Sequence, residues 1–150
     1  MTNLQLLTLQ YALSFLGLPY IYGGNSALNG FDCSGLVVEI LKSDGKFPNN
    51  SDASSASLWK YLKDRGWGET LKHDFGNLYF YGTKSKINHV AYGIGDGKII
   101  EAAGGDSTTT TRAKAAAKDA NVRLRMFNYR DDLVGILADG SNLVSINRRK

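Results

Sequence analysis

Residues 30–37 read Gly30-Phe31-Asp32-Cys33-Ser34-Gly35-Leu36-Val37 and contain the most informative local signal in the chain. Asp32 is a favourable N-cap and apolar residues follow it at helical spacing, so a helix is predicted from Asp32 or Cys33 to about Lys42. Cys33 then occupies the first turn, where free N–H groups and the positive end of the helix dipole favour a thiolate. The same N–H groups can hold an oxyanion on a substrate carbonyl. Cys33 is therefore either a nucleophile or, as a lone cysteine often is, a small buried hydrophobic side chain.

The composition is that of one folded domain. The chain has 150 residues, of which 43% are hydrophobic and 21% charged, and this balance excludes a disordered chain. Its single cysteine excludes a disulfide within the chain and a cysteine-rich zinc site, and its two histidines argue against a histidine-rich metal site. No metal and no cofactor is expected. The net charge of +4 comes without a nucleic-acid-binding motif, so no nucleic-acid partner is expected either.

Predicted helices precede predicted strands along the chain. One helix is expected at residues 4–16 and another at 53–64, and a glycine-rich turn fills residues 17–32. In the first helix Leu6, Leu9, Leu13 and Leu16 recur at helical spacing, and Gly17 ends it. Strands are expected at residues 78–82, 89–94, 98–103, 122–126 and 133–137, with a short helix within 107–118. This order predicts the α+β class, with N-terminal helices packed on an antiparallel sheet. Residues 1–140 are predicted to form a single domain, followed by a basic C-terminal tail at 141–150.

A nucleophilic cysteine needs a base, and the second half of the chain offers His89. His89 opens an apolar strand, whereas His73 sits in a charged, surface-like stretch. Gly95-Asp96-Gly97 is a hairpin signal, and a three-residue loop there pairs position 101 with position 91. Glu101 then lies on the same face as His89, diagonal to it, where its carboxylate would favour an imidazolium. A structural histidine and a glutamate facing water are the alternative interpretations.

Five segments of the sequence resemble, in the same order and near the same spacing, the NlpC-type cysteine peptidases. These are papain-like enzymes that cut peptidoglycan stem peptides. The resemblance covers about residues 6–137. Its segments are Gly17-Leu18-Pro19-Tyr20-Ile21-Tyr22-Gly23-Gly24, Phe31-Asp32-Cys33-Ser34-Gly35-Leu36-Val37, Gly76-Asn77-Leu78-Tyr79-Phe80, Asn88-His89-Val90-Ala91-Tyr92-Gly93-Ile94-Gly95-Asp96-Gly97 and Lys98-Ile99-Ile100-Glu101-Ala102.

The resemblance implies a papain-like fold and gives roles to four side chains. Cys33 corresponds to the nucleophile, His89 to the general base and acid, and Glu101 to the third polar position of the family. Tyr20 matches a tyrosine whose hydroxyl faces the active site. The third position in the family is most often histidine and sometimes asparagine or glutamine. Glu101 is therefore a departure that adds a full negative charge.

Two further positions take their interpretation from the resemblance. Asp32 and Ser34 flank the nucleophile and match positions that, in some relatives, help to hold the amine end of the substrate.

Asn77 is a second departure from the family pattern, because the family usually has aspartate there. We expect that change to affect stability more than chemistry.

The function implied by the resemblance is hydrolysis of an amide bond in peptidoglycan stem peptides, usually the γ-D-glutamyl bond to the diamino acid. The N-terminus lacks a basic segment followed by an unbroken apolar run, so no signal peptide and no stable membrane insertion are expected. We therefore expect a phage or prophage enzyme made in the host cytoplasm. It would act on the cell wall as an endolysin after release, or as a virion tail component. A monomer is expected.

Other functions are compatible with the same residues. A CHAP-like amidase and an acyltransferase use the same fold, so they are the alternatives among enzymes. A domain that only binds wall peptides, or one that binds nucleic acid, is the non-enzyme alternative. The masses of peptidoglycan fragments after digestion would separate the enzymes. Thiol labelling at neutral pH would test a domain that only binds wall peptides, and a salt-dependent shift on DNA would test nucleic-acid binding.

Overall fold

A computed structural model gives the fold and describes residues 1–140; the predicted tail at 141–150 lies outside the described residues. The helices are α1 (Asn3–Leu13), α2 (Cys33–Ser43), α3 (Ser55–Asp64) and α4 (Arg112–Ala117), and a 3₁₀ helix spans Phe127–Tyr129. The strands are β1 (Asn25–Ser26), β2 (Gly30–Phe31), β3 (Gly68–Thr70), β4 (Leu78–Thr83), β5 (Lys86–Gly95), β6 (Lys98–Ala103), β7 (Asn121–Met126) and β8 (Leu133–Ala138). The predicted order of helices before strands is confirmed.

One sheet of six strands carries the second half of the domain. Its strand order is β3-β8-β4-β5-β6-β7, and every neighbouring pair is antiparallel. The α+β class and the antiparallel sheet are therefore as predicted. The sequence did not indicate β3 or the two-residue pair β1–β2, because strands this short leave no periodic pattern.

The helix that carries Cys33 is buried against the sheet. Seven of its eleven residues, including Leu36, Val37 and Ile40, are buried. They pack with Val90 and Tyr92 of β5 in the main hydrophobic core. Because side chains alternate along a strand, Ala91 points to the opposite face, where it packs with Tyr79 and other residues of a second cluster.

The four regularly spaced leucines of the first helix are not its most buried residues, although Leu9 and Leu13 are half-buried. Leu6 and Leu16 are 46% and 42% exposed, and the buried residues within α1 are Thr8 and Ala12. The helix also ends at Leu13, earlier than predicted. Leucines occupy several sides of α1, so their spacing did not select the contact face.

The β5–β6 hairpin has the predicted register through a different loop. Gly95 pairs with Lys98, so the turn consists of Asp96 and Gly97, whose φ values of 55° and 76° suit a two-residue turn of the primed type. The expected three-residue loop is therefore wrong. A β-bulge at Ile94 supplies the extra residue, and Tyr92 pairs with Ile100 as the predicted register requires.

Within residues 1–140, no helix combines the length and the apolar character needed to cross a membrane.

Candidate active site

The first residue of α2 is Cys33, and its position is fixed by contacts close in sequence. The carboxylate of Asp32 caps the helix, accepting hydrogen bonds from the N–H groups of Gly35 at 2.8 Å and Gly23 at 3.1 Å. Gly35 lies so close to the preceding turn that a Cβ there would overlap the carbonyl oxygen of Gly24. Cys33 is left partly exposed at the open end of the helix.

His89 and Glu101 form a buried pair in the sheet. His89 lies inside β5, opposite Tyr81, rather than at the start of the strand as expected. Its Nε2 is 2.8 Å from Oε1 of Glu101, and the two residues are 6% and 0% exposed. This contact leaves Nδ1 as the ring nitrogen available to Cys33. The sheet thus brings together the two residues that the hairpin register predicted to meet.

The charge state of the pair follows from its contacts. Burial by itself lowers the pKa of His89, but interactions with the side chains of Cys33 and Glu101 outweigh burial and raise the pKa to about 9. For Glu101, burial raises the pKa, but the interactions with His89, Tyr129 and Arg125 together outweigh burial, so the net shift of the pKa is downward. At neutral pH the pair is therefore an imidazolium beside a carboxylate.

Tyr20 lies beside the same two residues. It lines a cavity of about 350 Å³ together with Cys33, His89 and Gly105. A side chain at position 105 would overlap the Tyr20 ring, so Gly105 is needed for the ring to lie where it does. Burial and the neighbouring Cys33 raise the pKa of Tyr20, which keeps its hydroxyl protonated as a hydrogen-bond donor.

Asp32 and Ser34 line a second cavity that shares Cys33 and Tyr20 with the first. This cavity measures about 580 Å³ and also contains Asp52. The Ser34 hydroxyl donates to Asp32 at 3.3 Å, and burial raises the pKa of Asp32 despite the hydrogen bonds that it accepts. Both side chains thus have local structural contacts, and their role in substrate binding stays a prediction.

Two side chains at the site carried no signal in the sequence. The Tyr129 hydroxyl donates to Oε1 of Glu101 at 2.6 Å, and Nε of Arg125 lies 3.9 Å from Oε2 of Glu101. Arg125 lies in β7, which pairs with β6, and Tyr129 lies in the 3₁₀ helix that follows β7. The pairing of β6 with β7 therefore brings both residues beside Glu101. Among residues 1–140, no three His, Cys, Asp or Glu side chains converge as ligands for a metal ion.

Comparison with known proteins gives the family. A model of the NlpC/P60 family matches residues 17–125, which is most of the chain and includes Cys33, His89 and Glu101. The chain belongs to the NlpC/P60 family. The family predicted from the sequence segments is thereby confirmed, and with it the fold.

Individual relatives match the same region. The chain is 40% identical over 90 residues to a γ-D-glutamyl-L-lysine dipeptidyl-peptidase of Bacillus cereus, covering 57% of this chain and 25% of the relative. It is 34% identical over 88 residues to the murein DD-endopeptidase MepH of Escherichia coli, covering 57% and 31%. The matches therefore span about a quarter to a third of the length of these curated relatives.

Solved structures carry the same fold. A crystal structure of an NlpC/P60 family protein from Bacillus cereus superimposes with a TM-score of 0.63 at 27% identity, covering 89% of this chain and 39% of that one. The NlpC/P60 domain of the peptidoglycan hydrolase SagA, at 18% identity, superimposes with a TM-score of 0.61. Helices packed on an antiparallel sheet are thus common to this chain and its structural neighbours.

Proposed function

We propose that this NlpC/P60 domain is a cysteine peptidase that hydrolyses amide bonds in peptidoglycan stem peptides. The observation that carries the proposal is that Cys33 and His89 line one cavity, with Glu101 hydrogen-bonded to the histidine. The arrangement of a nucleophile, a base and a group that orients the base is what acyl transfer requires. The names of the relatives, a γ-D-glutamyl-L-lysine dipeptidyl-peptidase and a murein DD-endopeptidase, support the substrate class.

In the proposed mechanism the Cys33 thiolate attacks the amide carbonyl carbon. The N–H of Cys33 and the Tyr20 hydroxyl hold the oxyanion. The imidazolium of His89 protonates the leaving amine as the C–N bond breaks, which leaves a thioester on Cys33. The neutral imidazole then takes a proton from water, the hydroxide attacks the thioester, and the acid product leaves as the thiolate re-forms.

The bond that we expect to be cut is the γ-D-glutamyl amide to the diamino acid of the stem peptide. Two relatives are named for a γ-D-glutamyl-L-lysine linkage. We also propose that Asp32 and Ser34 bind the amine end of the substrate. Both line the wider cavity beside Cys33, where the carboxylates of Asp32 and Asp52 favour a positively charged group.

The decisive experiment is mass analysis of purified peptidoglycan after digestion with the wild-type chain. Fragments that end in D-glutamate and fragments that begin with the diamino acid would support the proposal. A matched digestion with Cys33→Ala controls for contaminating hydrolases. Release of whole stem peptides from the glycan would instead indicate a CHAP-like amidase, and new amide products with an added amine would indicate an acyltransferase. Peptide binding without any new fragment would indicate a binding domain.

We also propose, from the sequence, that the domain works for a phage or prophage. In this setting it is made in the host cytoplasm and meets the wall as an endolysin after release, or as a virion tail hydrolase. Mass spectrometry of purified virions from a lysate distinguishes the two, because a tail component is present in them and an endolysin is not. A chromosomal gene with no phage genes around it would contradict this part of the proposal.

A further inference from the structure

Glu101 has a second hydrogen-bond donor besides His89. The hydroxyl of Tyr129, at the end of the 3₁₀ helix after β7, donates at 2.6 Å to Oε1, the same oxygen that contacts Nε2 of His89. Tyr129 also lines the cavity that contains Cys33 and His89. The negative charge that Glu101 presents to the imidazolium is therefore shared with a phenol.

The other oxygen of Glu101 has a different environment. Oε2 is buried and accepts no hydrogen bond from the described part of the chain, and its ion-pair partner is Arg125. Arg125 pairs with Ile99 across β6 and β7, which places it diagonal to Glu101 on one face of the sheet. Its guanidinium lies over the ring of Tyr129, 4.5 Å from the ring centre. This cation–π contact links the two groups that hold Glu101.

We propose that Tyr129 and Arg125 are positioning residues that hold Glu101 in place and offset its charge, so that the imidazolium of His89 remains a competent acid for the leaving amine. This proposal rests on the peptidase function proposed above. Its physical reason is the carboxylate at position 101. A carboxylate beside His89 whose charge no other group offset would over-stabilise the imidazolium, and an over-stabilised imidazolium is a weaker acid.

Other charged and titratable groups face His89 or its neighbours, and the experiment must separate them from the proposed pair. They are Tyr20 of the glycine-rich turn, Cys33 of α2, Tyr81 of β4, Glu101 of β6, Arg123 of β7, which pairs with Glu101 across the sheet, and Arg130 and Asp132 before β8. Arg130 pairs with Asp132 at 2.6 Å, so the charge of Asp132 is already offset by its own partner. Tyr129 and Arg125 act on His89 through Glu101.

The test uses the two histidines of the chain, His73 and His89. With isotope-labelled histidine, NMR follows the protonation of the His89–Glu101 pair through the His89 signal. The His73 signal serves as an internal reference. Tyr129→Phe removes the hydroxyl, and Arg125→Gln removes the charge. Arg65 lies over the ring of Tyr61 at 4.7 Å in a separate part of the domain, so Tyr61→Phe and Arg65→Gln are matched controls.

We expect the His89 midpoint to move to higher pH in Tyr129→Phe and in Arg125→Gln, because each removes a group that offsets the charge of Glu101. Neither control should move it, and Arg125→Lys should retain most of the wild-type midpoint. We also expect kcat/KM on the wall peptide to fall roughly tenfold at neutral pH in both variants. Arg125→Gln keeps the test decisive if Tyr129→Phe fails to fold.

An unchanged or lowered His89 midpoint in the folded variants would overturn the proposal, even if their activity falls, since it would leave the two residues a purely structural role. Failure of the proposed function has a different result. A wild-type chain that cleaves no wall peptide, with the histidine shifts still present, would overturn the peptidase function and support the network around Glu101.

Discussion

The nucleophile and its base are held in two different ways. Around Cys33 the contacts are local, since Asp32 caps the helix and holds the N–H of Gly23 nine residues away. Around His89 the contacts are distant in sequence. The hydrogen bond between His89 and Glu101 joins residues 12 apart, and the one between Glu101 and Tyr129 joins residues 28 apart. The active site therefore has two halves. The local half, around Cys33, is held by contacts close in sequence, and the distant half, around His89, is held by the register of the strands.

This difference has a physical cause. A helix cap needs a side chain only a few residues from the N–H that it satisfies, so the geometry of Cys33 follows once α2 begins. A cross-strand network requires the strands to be in register first, because a slip of one residue moves a side chain to the other face. Substitutions near Cys33 and substitutions around His89 should therefore fail in different ways.

The largest expected effect is on chemistry alone. Cys33→Ala should lower peptide-bond hydrolysis by at least about 1000-fold, because the nucleophile is lost. The thermal unfolding midpoint should stay close to that of the wild type, since Cys33 is partly exposed and alanine keeps the helix. The measurements are fragment release from peptidoglycan and thermal denaturation. If this variant released peptidoglycan fragments at the wild-type rate, Cys33 would not be the nucleophile.

The second prediction concerns the stability of the local half around Cys33. Gly35→Ala should destabilise the fold by roughly 1–3 kcal/mol, because the new Cβ overlaps the carbonyl oxygen of Gly24 and forces the turn away from α2. Gly68→Ala is the matched control, since a Cβ there meets nothing within 4 Å, and it should change stability by about 0.5 kcal/mol or less. Chemical denaturation measures both. Equal stability of the two variants would contradict the close approach at Gly35.

The distant half should show itself in the pH dependence. The pKa of His89 is raised in the fold to about 9, so its protonated form stabilises the protein. That stabilisation is complete below the ordinary histidine pKa of about 6.5 and is lost as the pH rises to about 9. Activity should fall over the upper part of the same range, because the leaving amine needs the imidazolium.

Glu101→Gln should move this alkaline limb of activity to lower pH, since the carboxylate is one of the groups that raise the pKa of His89. A profile of kcat/KM against pH measures the limb. The limb would stay in place if Glu101 did not act on His89, and that result would reject the pairing as a functional one.

The smallest effects compare two helix caps. Asp32→Ala removes the cap of α2 and Ser54→Ala removes the cap of α3, and each should cost about 1 kcal/mol of stability. Asp32 lines the cavity of Cys33, so its substitution should also raise KM for peptides with a free amine. Both variants are compared by denaturation and by steady-state kinetics. Equal KM in the two would leave Asp32 with a structural role and no substrate contact.

Much of this site was predictable from residue patterns. Asp32 before an apolar helical stretch predicted the start of α2, and the hairpin signal predicted that Glu101 faces His89. The hairpin also shows the limit of such reasoning, because the register came from a bulge at Ile94 and not from the predicted loop. Two errors, one in loop length and one in the assumption of regular pairing, cancelled.

Other features gave no usable pattern. The spacing of the leucines in α1 did not indicate which residues are buried, since Thr8 and Ala12 are buried within the helix while Leu6 is exposed. Tyr129 and Arg125 are ordinary residues in the sequence, and their roles depend on where β7 and the 3₁₀ helix lie relative to Glu101. Gly105 could have been noticed as the second glycine after a strand, but its reason is the ring of Tyr20.

Residue patterns were enough to predict the helix start at Cys33, the order of helices and strands, and the family. These depend on caps, periodicity and short motifs, which act over a few residues. Only the tertiary structure decided which groups surround Glu101 and therefore how strongly it acts on His89. That decision belongs to strand pairing and burial, because the cost of a buried carboxylate is set by neighbours that the chain brings from far away.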